Sequence, residues 1–259
     1  QNLIFNTIFL LLALVVLLYL YFSSKKTLQQ QNDMIEQQSS AQDIHPITGL
    51  SNYHCLKKYM PTPLQEARYF SDWEYSDKQN SVYCCAIINL DFLQPLRELY
   101  SLSMLNQVQS ALGSYLSLQL KASEFLFQLN DNQILLIKKT NKNYDPESVS
   151  NMVIEWFQKF ENPISSDNAI SIGMVSHPFL YKYPTSISPD KLLDIGTLAL
   201  SSAIKLNQKQ YKNSWVQLSA LTYTQPAFFH GDIWHRSKQA IEKGLIKVVS
   251  SADKNDINW

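Results

Sequence analysis

The sequence has little glycine: six of its 259 residues, and no two of them close together. A loop that cradles phosphates with its backbone needs clustered glycines, so P-loop and dinucleotide-binding loops are excluded. The three cysteines, Cys55, Cys84 and Cys85, lack the spacing of metal ligands, and we expect reduced thiols that fill space in a core. Basic and acidic residues number 22 each, so the charge balance gives no indication of nucleic-acid binding.

One long apolar run is present, at residues 3–22 (LIFNTIFLLLALVVLLYLYF). About 20 residues of helix, at roughly 1.5 Å each, span a bilayer core of about 30 Å. We therefore predict a transmembrane helix within residues 1–24. Lys25 and Lys26 follow it and predict a cytoplasmic location for the rest of the chain. A signal peptide is disfavoured by the length of the run and by the lack of a cleavage site. Because the chain begins with Gln, we expect a longer protein with an extracytoplasmic or further membrane portion before it.

Residues 25–44 form a glutamine-rich polar linker, predicted to be a solvated helix. A short coiled coil is the alternative, since Leu28 and Ile35 are seven residues apart. Beyond the linker, helical and strand patterns alternate. Helices are predicted at 52–59, 96–118, 147–160, 189–206 and 236–243, a hairpin at 125–137, and strands at 82–90, 169–175, 215–221 and 245–249. This order predicts an α/β fold of the ferredoxin-like, split-βαβ type, with a helix-covered sheet.

The predicted hairpin has an unusual tip, Asn130-Asp131-Asn132. Tight hairpin turns favour glycine where φ is positive, and asparagine and aspartate are the next most tolerant residues. Beyond the hairpin, the segment 216–259 is predicted to add a helix and an edge strand packed on the domain. The alternative for its exposed aromatic residues is a docking or dimer surface.

Several strings resemble, in order, motifs of the GGDEF family, the diguanylate cyclase domain. They are HPITGLSNY (45–53), similar to D-x-LTGL-x-NR; AIINLDFLQPLREL (86–99), similar to the segment with D-x-D-x-FK-x-x-ND; SIGMV (171–175), similar to SIGVA; and LLDIGTLALSSAIKLNQ (192–208), similar to the closing helix LL-x-x-AD-x-ALY-x-AK-x-x-GR. The hairpin lies where the family has its signature. The resemblance covers about residues 43–215 and implies a degenerate GGDEF domain at 45–215, followed by the extension.

The resemblance implies a two-metal reaction, in which carboxylates hold the ions that join two GTP molecules. The corresponding positions here are uncharged. The first metal-binding aspartate is replaced by Asn89, and the acidic third and fourth signature positions by Asn132 and Gln133. Side chains at Asn130 and Asp131 replace the two glycines that admit the nucleotide. Mg²⁺ requires anionic oxygen ligands, so we expect no metal site, no cofactor and no cyclase activity; Mg²⁺ would matter only if residual activity exists.

The nucleotide-contacting positions implied by the resemblance are also altered. They are Gln94, Arg97, Asn106, Ile204 and Gln208, with Lys205 one step out of register. Asp91 keeps the second aspartate of its motif, which is not the usual metal ligand. The family's inhibitory site, R-x-x-D, reads KASE here, from Lys121 to Glu124. Two interpretations stay open: a solvated ion pair at a helix end, or residual binding of cyclic di-GMP.

These observations predict a signalling protein of the bacterial inner membrane, crossing once in this part of the chain, with its domain in the cytoplasm. It would act by contact with an unidentified protein or by homodimerisation, without nucleic acid. The alternatives are a receptor for cyclic di-GMP or GTP and, less favoured, an active cyclase or an enzyme with unusual metal or substrate use. No metal site is expected at His45, His177, His230 or His235, and FFHGDIWH is predicted to be a structural loop.

Overall fold

The computed structural model describes residues 25, 43–59, 81–122, 124–183, 186–209, 212–253, 256–257 and 259. The predicted membrane helix, and all of the linker except residues 25, 43 and 44, lie outside these residues. Among the helices of the described part, none is both long and apolar enough to cross a bilayer. The chain divides into two units, residues 1–43 and 44–259, and the second contains the whole sheet.

The described residues form one mixed sheet of seven strands, in the order β1-β3-β4-β2-β5-β6-β7. The strands are β1 Ser51–Asn52, β2 Ser81–Asn89, β3 Glu124–Asn130, β4 Gln133–Asn141, β5 Ser171–His177, β6 Trp215–Ala220 and β7 Ile246–Ser250. The pairs β1–β3 and β5–β6 are parallel and the others antiparallel. The order β3-β4-β2-β5 is that of a ferredoxin-like split βαβ unit, so the predicted α/β class is confirmed.

Six α-helices are present in the described part. They are α1 Tyr53–Tyr59, α2 Leu93–Leu99, α3 Leu102–Gln119, α4 Pro146–Lys159, α5 Pro189–Gln208 and α6 Ile233–Glu242, with a 3₁₀ helix at Pro226–Phe229. Side chains of Ser101, Asp145, Ser188 and Asp232 accept hydrogen bonds from the first turns of α3, α4, α5 and α6. Such N-caps satisfy backbone donors that have no partner inside the helix, which is why these helices begin where they do.

The single long helix predicted at 96–118 is wrong, because the chain forms α2 and α3 with a corner between them. Ser101 is extended (φ −66°, ψ 156°) and caps α3 with its own side chain. Leu99 and Leu102, expected to continue a core stripe, are both 73% exposed at this corner, whereas Leu112 is fully buried. A good capping residue inside an apolar stripe has ended one helix and started another.

The sheet has a core on each face. Cys84, with neighbouring even-numbered residues of β2, packs under α2, α3 and α4, and Cys85 packs under α1, α5 and α6. The adjacent cysteines thus point to opposite faces, as strand geometry predicts. Helix α5 approaches β5 closely: a Cβ on Gly173 would lie 2.3 Å from the backbone nitrogen of Leu200. This approach brings the C-terminal end of α5 to the strand ends where the site is found.

Candidate functional site

The altered metal positions converge at one end of the sheet. Asn89, the last residue of β2, lies between Gln133 of β4 and Ser171 of β5 in the strand register. The backbone N–H of Leu90 donates to the carbonyl of Asn132 at 2.8 Å. The positions chosen from the sequence, at 89, 132 and 133, are therefore neighbours. Their proximity follows from ordinary strand pairing between β2 and β4.

The surviving carboxylate of this region, Asp91, is bound by three uncharged donors. The amide of Asn89 donates to Oδ1 at 2.5 Å. The hydroxyl of Ser171 and the amide of Asn207 both donate to Oδ2 at 2.6 Å. Both carboxylate oxygens are thus occupied, and the three donors come from β2, β5 and α5. We infer that Asp91 joins these three elements.

Sequence reasoning missed Asn207. Its amide nitrogen also donates to the carbonyl of Ile170 at 3.1 Å, and its oxygen accepts from the backbone N–H of Ser214 at 3.3 Å. Both N–H groups of this side-chain amide are therefore used, and its oxygen accepts one hydrogen bond. Asn207 lies 116 residues from Asp91, and no local pattern signals a partnership over that distance.

The donor set does not fit a pair of divalent ions. The side-chain oxygen of Asn132 is buried and has no hydrogen-bond partner among the described residues, but it carries no net charge. The Asn89 amide presents its N–H₂ to Asp91. Hard cations need anionic oxygens, and neither amide supplies one. Within the described ranges, no group of three or more His, Cys, Asp or Glu side chains is placed to hold a metal.

The hairpin tip is held by its own amides. Its turn residues are Asp131 and Asn132, and the side-chain oxygen of Asn130 accepts from the N–H of Asn132 at 3.0 Å. The amide of Asn130 donates to Gln133 at 2.8 Å. None of Asn130, Asp131 and Asn132 has a positive φ. Asn213 (φ 57°) is the one non-glycine residue of the described part with positive φ. A bulge before Asn130 and an Asx-type bond shape the turn instead.

Two buried glutamines support this tip, and sequence reasoning also missed them. Gln109 of α3 donates to the carbonyl of Asp131 at 2.9 Å, and Gln128 of β3 donates to the carbonyl of Asn130 at 2.7 Å. Both side chains are buried. The side-chain oxygen of Gln128 lacks a partner among the described residues. The tip is therefore anchored to α3 and to β3, as a rigid structural hairpin.

Comparison with family models found no match, and comparison with curated proteins found none. Solved structures do match. The coiled coil and GGDEF domain of DgcB from Caulobacter crescentus, in complex with c-di-GMP, has a TM-score of 0.55 at 12% identity, over 74% of this chain and 93% of that one. The S helix-GGDEF-EAL structure of Vibrio cholerae LapD, bound to c-di-GMP, has a TM-score of 0.53 at 15% identity, over 90% of this chain and 54% of that one. The chain has a GGDEF-type fold.

In this GGDEF-type domain the nucleotide positions lie on three helices, α2, α3 and α5. Gln94 and Arg97 are exposed on α2, and the guanidinium of Arg97 lies 3.8 Å from the carboxylate of Asp131. Lys205 and Gln208 are exposed on α5, and Ile204 packs against the core. Asn106 lines an open cleft of about 550 Å³ with Pro46, Ile47, Leu102, Ser103, Gln107 and Ser110. None of these lining residues is charged, which disfavours an anionic nucleotide.

At the inhibitory-site positions, the carboxylate of Glu124 forms a buried ion pair with a lysine other than Lys121. The carboxylate of Glu124 is fully buried, pairs with Lys138 across the β3–β4 ladder, and accepts from the backbone N–H of Lys121 at 3.0 Å. The solvated Lys121–Glu124 pair, one of the two interpretations from the sequence, does not form. Lys121 is exposed. The acidic half of the motif is therefore part of the strand pairing, and loss of Lys138 would leave a buried carboxylate uncompensated.

A second buried polar network lies on the α4 face of the sheet. The hydroxyl of Tyr144 lies 3.1 Å from that of Ser176 and accepts from the amide of Gln217 at 2.8 Å. Burial raises the pKa of Tyr144 well above its ordinary value, and it raises the pKa of the neighbouring Cys84 thiol to about 11. These groups stay neutral at physiological pH, so the cysteine is a packed thiol with little nucleophilic character.

Proposed function

We propose that this chain is a membrane-anchored signalling protein whose GGDEF-type domain acts through protein contact and does not cyclise GTP. The observation that carries the proposal is that Asn89, Asn132 and Gln133 lie together at one end of the sheet, where the resemblance places metal-binding carboxylates, and that none of them is charged. Two-metal phosphoryl transfer needs carboxylates that are available to the ions. The amides at Asn132 and Gln133 supply none.

The proposed anchor is the apolar run at residues 3–22, followed by Lys25 and Lys26. The positive-inside tendency favours a bacterial inner-membrane protein with the domain in the cytoplasm. An anchored domain without catalysis would transmit a membrane-side signal by presenting or hiding a surface. We therefore propose that its partner is another protein or a second copy of itself.

A receptor for cyclic di-GMP is the second candidate, because both structures described above hold that ligand and Lys121 keeps an exposed charge. Against it, Glu124 can meet a guanine edge only by leaving its buried pair with Lys138. Breaking such a pair leaves a buried charge uncompensated, which costs about 3–5 kcal/mol. GTP binding in the uncharged cleft at Asn106 is disfavoured by the lack of cationic groups there.

The test of inactivity uses the purified chain in detergent micelles. It is incubated with GTP and either Mg²⁺ or Mn²⁺, and cyclic di-GMP is measured by chromatography and mass spectrometry, with an active cyclase as the positive control. We expect no product. The triple variant Asn89→Asp, Asn132→Asp, Gln133→Glu tests whether restoring these carboxylates is enough to give cyclase activity. Metal-dependent product from the unaltered chain would overturn the proposal.

Calorimetric titration of cyclic di-GMP into the same preparation separates the two candidates. We expect no heat of binding, since the inhibitory-site acid is occupied. Micromolar binding that disappears in Lys121→Ala would instead establish a receptor. The titration of Lys139→Ala, which removes another exposed lysine of the adjoining β4 strand, controls for loss of surface charge.

A further inference from the structure

Among the described residues, strand β7 has a backbone partner on one side only. It pairs with β6 on its inner side and is the last strand of the sheet. The N–H of Leu221 donates to the carbonyl of Leu245, and the N–H of Ser251 donates to the carbonyl of Trp215. Because inward and outward groups alternate along an antiparallel strand, the groups of Lys247 and Val249 also face β6.

The outward groups therefore belong to Ile246, Val248 and Ser250. Outside the β6–β7 ladder, no described residue makes a backbone hydrogen bond with these three. An open edge is a template for another strand, and proteins usually blunt one with proline, a bulge, a very short strand or charged side chains, especially lysine. Strand β7 has two of these features, its length of five residues and the exposed Lys247. Residues 246–250 (IKVVS) contain no proline, and the ladder with β6 has no register shift.

Charge distribution around β7 selects the strand that fits. Lys247 is exposed in the N-terminal half of β7, and Lys243 is exposed just before the strand begins. Asp253 is exposed just beyond the C-terminal end of the strand. An antiparallel second copy, centred on Val248, places the Lys243 end of each strand beside the Asp253 end of the other. A parallel copy would oppose like charges. The edge is thus complementary to itself in one orientation.

Apolar surface borders this edge on the face that carries the side chains of Ile246 and Val248. A groove of about 420 Å³ lies there, and its walls include Leu221, Ile241, Ile246, Val248, Ile257 and Trp259. In strand addition, main-chain bonds give affinity and alternate side chains meet such a groove. The groove of the second copy would lie next to it. Two sheets that pair edge to edge form one continuous sheet, and the two-fold axis puts the same face of both copies on the same side.

We propose that β7 pairs antiparallel with β7 of a second copy of this chain, with Val248 opposite Val248. Ile246 then lies opposite Ser250 of the second copy, and about six backbone hydrogen bonds form across the two-fold axis. The C-terminal extension is thereby a dimer surface. The pairing gives the proposed signalling function a homodimeric partner, but it does not depend on catalysis being absent.

The test is hydrogen exchange of the whole chain in detergent micelles, resolved to single amides by fragmentation mass spectrometry, over a range of protein concentrations. The amides of Ile246, Val248 and Ser250 should be protected in the parent. The amides of Lys247 and Val249 are internal controls, because they bond to β6 in any oligomeric state. Lys243→Glu should weaken protection at the three outward amides, since Lys243 precedes the end of β7 that would meet the Asp253 end of the second copy.

The double variant Lys243→Glu, Asp253→Lys should restore protection, because it exchanges the two charges. Lys238→Glu is the matched control: Lys238, like Lys243, lies over an aromatic ring, and its loss should have no effect. Fast exchange of the outward amides at every concentration would overturn the proposal, and so would protection that Lys243→Glu leaves intact. Either result leaves the cyclase test unaffected, so the two proposals fail separately.

Discussion

At the scale of the residue, replacing an acid by an amide does more than remove charge. An aspartate in place of Asn89 would repel Asp91, whereas the amide donates to it at 2.5 Å. The retained carboxylate has thereby become part of a structural network with Ser171 and Asn207. A hydrogen bond to a charged group is stronger than one between neutral groups, so this network should stabilise the fold.

We predict that Asp91→Ala lowers the free energy of unfolding by about 1–3 kcal/mol, because it leaves buried donors without an acceptor. Urea denaturation of parent and variant measures the difference. The matched control is Asp131→Ala, whose carboxylate is 78% exposed and 3.8 Å from Arg97. An exposed ion pair contributes about 0–1 kcal/mol. Equal losses in the two variants would show that the Asp91 network contributes no special stability.

A second prediction at this scale concerns alkaline pH. Burial raises the pKa of Cys84 from 9.0 to about 11, so the thiol of the unfolded chain ionises first. The contribution of Cys84 to the free energy of unfolding is complete below pH 9. It declines as pH rises towards 11, by a total on the order of 2–3 kcal/mol. Denaturation at pH 8, 9, 10 and 11 should show the decline, and Cys84→Ser should reduce its slope. If Cys84→Ser keeps the parent slope, the assignment is wrong.

At the scale of the element, the corner between α2 and α3 shows how a cap overrides periodicity. The spacing of apolar residues from 96 to 116 favours one helix, but Ser101 caps α3 from an extended conformation. Leu99 and Leu102 are consequently directed to solvent, next to the cleft at Asn106. The corner adds exposed apolar surface to the place where the family reads guanine.

We predict that Leu99→Ser with Leu102→Ser changes the free energy of unfolding by no more than about 0.5 kcal/mol for each substitution. Leu112→Ala, in the same helical stripe but fully buried, should cost about 2–5 kcal/mol because it creates a cavity. Thermal and urea unfolding of the variants measure both effects. A large loss in the double variant would mean that the two leucines pack against part of the molecule outside the described residues.

At the scale of the whole molecule, the C-terminal extension shares its core with the rest of the domain. Phe229, Ile233, Ala240, Ile246 and Val248 belong to the same buried cluster as α5. Truncation after residue 221 would therefore uncover one side of α5 and of β6. Each Å² of apolar surface that is buried contributes about 25 cal/mol to stability, so uncovering these surfaces should destabilise the domain.

We predict that a chain ending at residue 221 loses cooperative unfolding and binds a hydrophobic dye, whereas the full-length chain does neither. Differential scanning calorimetry and dye fluorescence measure these two properties. A chain ending after residue 253 retains β7 and α6 and is the appropriate control for shortening. A sharp, reversible transition in the shorter chain would show that residues 45–221 form an independent domain.

The sequence alone determined the local elements and the position of the altered site. Periodicity over 10 to 20 residues predicted most helices and strands, because burial of one face depends on near neighbours in the chain. The convergence of Asn89, Asn132 and Gln133 was also predictable, since Asn89 ends a strand, Gln133 begins one and Asn132 lies in the turn of the hairpin. The family resemblance implied roles for these positions, and those roles stay predictions.

Only the tertiary structure decided the partners of these side chains. The partnership of Asp91 with Ser171 and Asn207 joins residues 80 and 116 positions apart. The ion pair between Glu124 and Lys138 depends on the strand register. Such contacts are set by how helices dock on the sheet and by which residues fall opposite one another. A hydrogen bond needs atoms placed within a few tenths of an ångström, and a sequence pattern constrains faces and periods but not atomic positions.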